Sequence, residues 1–148
     1  MKFTCTTVVN LPKDKVVELY SNDNNLKYWQ SGFESKELLN GTKGQPGAKS
    51  KILMTYNNKP MVLTETIQQN NLPDEFVGYY EHEHMNNIMT CRFQQLDNAK
   101  TKFDMDIHYT EFFGFMPKLM SMILPGLFKK QTQKMVDSFK TFAESHKH

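Results

Sequence analysis

Few side chains in this chain can do chemistry, and their spacing limits what that chemistry is. Glu65 stands between Leu63 and Ile67 in the alternating stretch Met61 to Gln69. If the face bearing Leu63 and Ile67 is the inner one, Glu65 is a carboxylate removed from water. It then needs a hydrogen-bond partner or a raised pKa, and a group of that kind can give or take a proton. If Val62, Thr64 and Thr66 point inward instead, Glu65 is solvated, and the two-residue period alone leaves both arrangements open. His82 and His84 share strand parity with Phe76 and Tyr80, so all four point to one side of an unbroken strand. Two imidazoles with Glu65 or Cys91 would make part of a divalent-metal site. No third ligand stands at a local spacing, and a wet pair at a strand end is the plainer reading, so no metal and no cofactor are expected. His82 fits better as one of the placed polar groups of an apolar pocket. Tyr56, Tyr80 and Tyr109 can hang hydroxyls into an interior, or pack as aromatic core with the hydroxyl at the rim. Cys91 with His82 would make a nucleophile–base pair, but nothing local supports it, and no catalytic residue is assigned.

These residues sit on strands. Phe3, Cys5, Thr7 and Val9 lie on one face of an opening strand. A short helix from Pro12 to Tyr20 and a second one holding Leu26 and Trp29 follow. The pattern then changes to strands over Phe33 to Leu39, Lys49 to Asn57, Met61 to Gln69, Glu75 to Glu83, Ile88 to Leu96 and Thr101 to Thr110. Their turns are Asn57 to Pro60, Asn70 to Asp74, Met85 to Asn87 and Asp97 to Lys100. The last strand alternates most cleanly, with Phe103, Met105, Ile107 and Tyr109 on one face. The loop Gly41 to Gly47 lacks the lysine and hydroxyl residue of a phosphate loop, and no helix follows it. From Phe115 onward the chain reads as helix, with Phe128, Met135, Phe139 and Phe142 on one side and Pro125 as an interruption.

Six consecutive strands with short turns make an antiparallel meander, and the long terminal helix is the one element able to cover its apolar face. The chain is expected to be α+β: a curved seven-stranded antiparallel sheet wrapped around a long C-terminal helix, as one domain over residues 1–148. This order resembles the helix-grip fold of the START-like, polyketide-cyclase-like and birch-pollen-allergen-like superfamily (SRPBCC). The resemblance is carried by Val16 in the first short helix, Trp29 in the second, Leu39-Asn40-Gly41 through Pro46-Gly47, and Phe139-Lys140 with Glu144. It implies a cavity between sheet and helix for a lipid, sterol, hormone or polyketide, with cyclases, dehydratases and hydrolases a minority. It also implies that the first and sixth strands are separated by the seventh. That places Cys5 and Cys91 about 9–10 Å apart at the usual strand spacing, beyond the roughly 7 Å that a disulfide spans.

Composition narrows the partners. The net charge of +2 comes from scattered lysines, with no basic stripe or nucleic-acid motif, so nucleic acid is not expected. Neither a signal-peptide core nor an apolar run long enough to span a bilayer is present, so a cytoplasmic protein is expected. The stretch Phe112 to Phe128 is apolar nearly all round and holds one charge, Lys118; such a segment faces something apolar on several sides. We read it as wall and lid of a cavity. The inward set is then Met54, Met89, Phe93, Met105, Ile107, Met120, Ile123, Leu124 and Phe128. Four of these nine are methionine, a flexible side chain suited to an adaptable wall. The expected function is binding or carriage of a hydrophobic small molecule, with Glu65, His82 or Tyr109 supplying specificity. The alternatives are a cyclase- or dehydratase-type enzyme using the polar groups, and a module that meets a protein partner, a second copy or a membrane through Phe112–Phe128.

Overall fold

The computed structural model describes residues 1–145, and of Ser121 and Ile123 the backbone alone. In chain order the elements are β1 (Lys2–Val9), α1 (Lys13–Ser21), a 3-10 turn (Asp23–Asn25), α2 (Leu26–Trp29), β2 (Phe33–Asn40) and β3 (Lys49–Tyr56). There follow β4 (Lys59–Asn71), β5 (Glu75–Glu81), β6 (Met85–Asp97), β7 (Lys100–Phe112), α3 (Phe115–Ile123) and α4 (Pro125–Ser145). The strands form one antiparallel sheet in the order β1-β7-β6-β5-β4-β3-β2. β7 therefore lies between Cys5 and Cys91, both buried free thiols.

The element types follow the sequence pattern, and two turns shift. Asn57 and Asn58 both have positive φ (51° and 62°). That is the conformation a two-residue hairpin loop demands and asparagine tolerates, so Lys59 and Pro60 belong to β4 and not to the turn. The next difference is at the β5–β6 connection. His82 to His84 form the turn and β6 already begins at Met85; in the neighbouring β6–β7 pair a bulge beside Asn86 and Asn87 leaves Thr110 of β7 as the extra residue. Pro125 interrupts the terminal helix as expected: α3 ends at Ile123 and Pro125 opens α4, where a missing N–H costs nothing.

α4 buries Thr132, Val136, Phe139, Phe142 and Ala143, a face of helical spacing. It runs along β1 and packs against α2. Lys140 donates to the Val8 carbonyl at 2.7 Å, and Glu144 accepts from the Asn10 amide at 2.8 Å. The core under it is a group of rings. Phe139 meets Trp29 and Phe103 at centroid distances of 5.1 Å each. Phe103 stacks on Phe93 at 5.1 Å, and Tyr20 meets Phe93 at 5.0 Å. Val9, Val16, Met105 and Cys91 close around them. Edge-to-face and offset pairs of this kind add about 0.5–1.5 kcal/mol each beyond burial.

Phe139 is fully buried and Phe115 is 77% exposed, so Phe139→Ala should cost about 3–5 kcal/mol of unfolding free energy and Phe115→Ala almost none. Urea denaturation followed by circular dichroism checks this; similar midpoints for the two variants would contradict the ring packing.

Candidate functional site

The register of the sheet builds a row of side chains across its inner face. Tyr109 of β7 stands opposite Asn87 of β6, Tyr80 of β5 opposite Asn87 and Glu65, and Glu65 of β4 opposite Ser50 of β3. Facing residues of an antiparallel pair share one face, so the whole row points the way of Tyr109, which packs against Phe128 of α4 at 5.2 Å. Glu65 is 5% exposed; of its two sequence readings, the inner-face one holds.

A carboxylate this deep requires partners, and neighbouring strands supply them. The Tyr80 hydroxyl donates to one Glu65 oxygen at 2.6 Å. Lys36 of β2 places its ammonium 3.1 Å from the other oxygen and 3.3 Å from Asp23. Burial pulls the Lys36 pKa down, but the Glu65 and Asp23 charges outweigh it and the net direction is up. Burial, then the Glu65 charge, pushes Tyr80 well above an ordinary phenol. Gly78 makes this geometry possible. A β-carbon at Gly78 would come within 2.8 Å of the Tyr80 ring and hydroxyl, so the phenol lies across a position where only glycine leaves room.

Around the polar row the inner face is apolar and incompletely covered. Met54, Met61, Leu63 and Met89 are half-buried; α4 runs along β1 and reaches β3 through the bond of Gln131 to Tyr56. Tyr80 and Tyr20 are deep enough for burial to dominate their pKa values, yet both keep accessible surface. Two grooves open elsewhere on the molecule, one lined by Tyr28 and Phe142 and one by Thr4, Thr90 and His108, and neither touches Glu65.

The sequence-predicted residues divide accordingly. Glu65 and Tyr80 are in contact, with Met54, Met89 and Tyr109 on the same inner face and Phe128 against Tyr109. His82 is half-buried at the β5–β6 turn and accepts from the His84 amide at 3.1 Å through Nδ1. Burial and His84 lower its pKa. Phe93, Met105 and Ile107 point inward but are buried at 3%, 0% and 6% exposure within the solid core, so they are packing residues here and not open wall. Tyr56 is exposed and bonds Gln131 at the edge of β3. Met120 and Leu124 are exposed at 37% and 44%, at the end of the chain where α3 packs on α4. The side chain of Ile123 lies outside the described residues. Sequence reading passed over Lys36, Asp23 and Gly78. Parity could have found Lys36, which lies across from Ile52, but a lysine on an edge strand reads as solvated. Among the described residues no three His, Cys, Asp or Glu side chains gather in metal-binding range, and no helix is long and apolar enough to cross a membrane.

Two outcomes follow. Gly78→Ala and Tyr80→Phe should each destabilise the protein by about 1–3 kcal/mol through loss of one bond to a buried carboxylate. Because Phe keeps the ring that a β-carbon at position 78 would strike, the double-mutant cycle uses Tyr80→Ala: Gly78→Ala should add no cost in that background, and additive costs would show that Gly78 does not act through Tyr80. The second outcome concerns Cys91, whose thiol burial pushes up from 9.0 to about 12. A raised folded pKa means stability is whole below the unfolded value and is lost as pH rises toward the folded one. From pH 9 toward pH 12, unfolding free energy should fall, with Cys91 supplying a slope of up to about 1.4 kcal/mol per pH unit. Cys91→Ala should flatten that slope in chemical denaturation, and an unchanged slope would contradict the assignment.

No family model and no curated protein matches the sequence. Solved structures do. A protein from Thermus thermophilus superposes with a TM-score of 0.80 at 12% identity, covering 100% of both chains. The Zhui aromatase/cyclase from a Streptomyces species gives 0.80 at 13% identity over 97% of this chain and 93% of its own. A START superfamily protein from Mycobacterium smegmatis gives 0.78 at 12% identity over 99% of each. With two short helices after β1, a seven-stranded antiparallel sheet and a long terminal helix packed on it, the chain has the helix-grip fold that these solved structures share.

Proposed function

We propose that this protein binds or carries a hydrophobic small molecule between the inner face of β3–β6 and the α3–α4 end of the terminal helices. One observation carries the reading: a fully partnered buried carboxylate, Glu65 with Tyr80 and Lys36, set beside half-buried Met54, Met61, Leu63 and Met89. Ligand pockets have this composition, mostly apolar with a few fixed polar groups. A filled core would have left these four side chains as dry as Phe103 and Met105, both at 0% exposure. A guest burying about 300 Å² of apolar area would gain roughly 7 kcal/mol before association costs, which corresponds to micromolar affinity at best after them. The same fold houses an aromatase/cyclase, but Glu65 is bound to an ammonium and a phenol. That arrangement fixes the carboxylate in place and occupies both of its oxygens, which suits recognition better than proton transfer.

The test is a titration with an environment-sensitive apolar fluorophore, alongside native mass spectrometry of the purified protein. We expect a saturable 1:1 signal, and Met89→Trp should weaken it at least tenfold while leaving the melting temperature within a few degrees. If Met89→Trp unfolds the protein, the space is already full, since overpacking a closed core costs about 1–3 kcal/mol or more. That result, or no saturable binding to the native chain, would refute the proposal.

A further inference from the structure

We infer that α3 and the first turns of α4 form a docking surface for a lipid bilayer carrying anionic headgroups. Phe113, Phe115, Met116, Met122, Leu124 and Leu127 are exposed at 42%, 77%, 59%, 72%, 44% and 42%. They are clustered in one short segment, whereas the exposed large apolar residues elsewhere, such as Val8, Tyr28, Val62 and Leu96, are scattered along the chain. Single exposed apolar residues are ordinary, but a contiguous group marks a surface that meets something else.

Charge selects the occupant. The 25 residues from Phe112 to Val136 contain Lys118, Lys129, Lys130 and Lys134 and no Asp or Glu, so all 16 acidic residues of the chain lie outside them. Lys129, Lys130 and Lys134 are exposed. An apolar helix bordered by cations and free of anions matches the interface of an anionic membrane, where apolar side chains enter the headgroup region and lysines meet the phosphates. A second copy of this chain fits worse. A two-fold contact sets the same patch against itself, which would bring each lysine group toward its own copy. The segment is too short to span, so the surface would lie on the bilayer and not within it. The inference does not depend on what the hollow holds.

The experiment is co-sedimentation of the full chain with extruded vesicles, either of pure phosphatidylcholine or with about one third phosphatidylglycerol, at low and high salt. We expect binding to the anionic vesicles, at least tenfold weaker on neutral ones and weakened by salt. Phe115→Glu/Met122→Glu should abolish it, and Lys129→Gln/Lys130→Gln/Lys134→Gln should reduce it at least tenfold, with native circular dichroism in both variants. Absence of binding, equal binding to both vesicle types, or an unchanged lysine variant would overturn the inference. So would concentration-dependent dimerisation, or capture of an acidic protein, through the patch without vesicle binding. The fluorophore titration reads the hollow separately, so the two proposals fail independently.

Discussion

The ring packing around Phe139 is the constraint from which the rest of the geometry follows. It fixes α4 over β1 and α2, at one side of a sheet that curves away from it. Further out the contact is polar: Gln131 of α4 bonds Tyr56 of β3. Burial grades across the sheet accordingly. Phe103, Phe93, Met105 and Cys91 are buried in the core and Met89 packs at its border; Met54, Met61 and Leu63 are half-buried.

A buried carboxylate on the inner face imposes the second constraint. Glu65 carries a desolvation cost that only charge and hydrogen bonding offset. Its two partners come from different strands, Lys36 of β2 and Tyr80 of β5, so the cluster ties the free edge of the sheet to its middle. Tyr80 reaches Glu65 by lying over Gly78, and Lys36 is in turn shared with Asp23 of the 3-10 turn. Each member restricts the others. The apolar wall can adapt through its methionines, while the polar row beside it is fixed. In the proposed function that combination would orient a guest without prescribing its shape.

The architecture was legible because it rests on periodicities: alternation in seven strands, a helical face in α4, and a proline where the terminal helix breaks. The turns were less legible, since Asn57-Asn58 and His82 to His84 depend on backbone conformations that side-chain pattern does not encode. The site was legible in part. Glu65 and Tyr80 could be nominated from parity, but parity could not choose Glu65's face; register and the Lys36 partner settle that. Phe93, Met105 and Ile107 were correctly placed on the inner face, yet pattern cannot distinguish an inner residue under a helix from an inner residue under open space. Gly78 and Lys36 were missed for a related reason. Parity gives each a face, but their roles exist only once β3 and β4 stand between β2 and β5, and no local spacing records that.

The position of α3 joins the two proposed surfaces. The Phe113 amide donates to the His84 carbonyl at 2.8 Å, so α3 begins beside the turn that holds His82, at one end of the inner row. The exposed apolar side chains of α3 thus start near the end of the sheet where β5 turns into β6. An apolar guest exchanged between a bilayer and the hollow at this end would pass from one greasy surface to the next with little of it crossing water. Removing the hydration cost from that path lowers the barrier to exchange without any change in the affinity of the hollow itself. If the protein carries a guest as proposed, a weakly binding interior would be enough, because delivery would depend on where the guest enters and not on how tightly it is held.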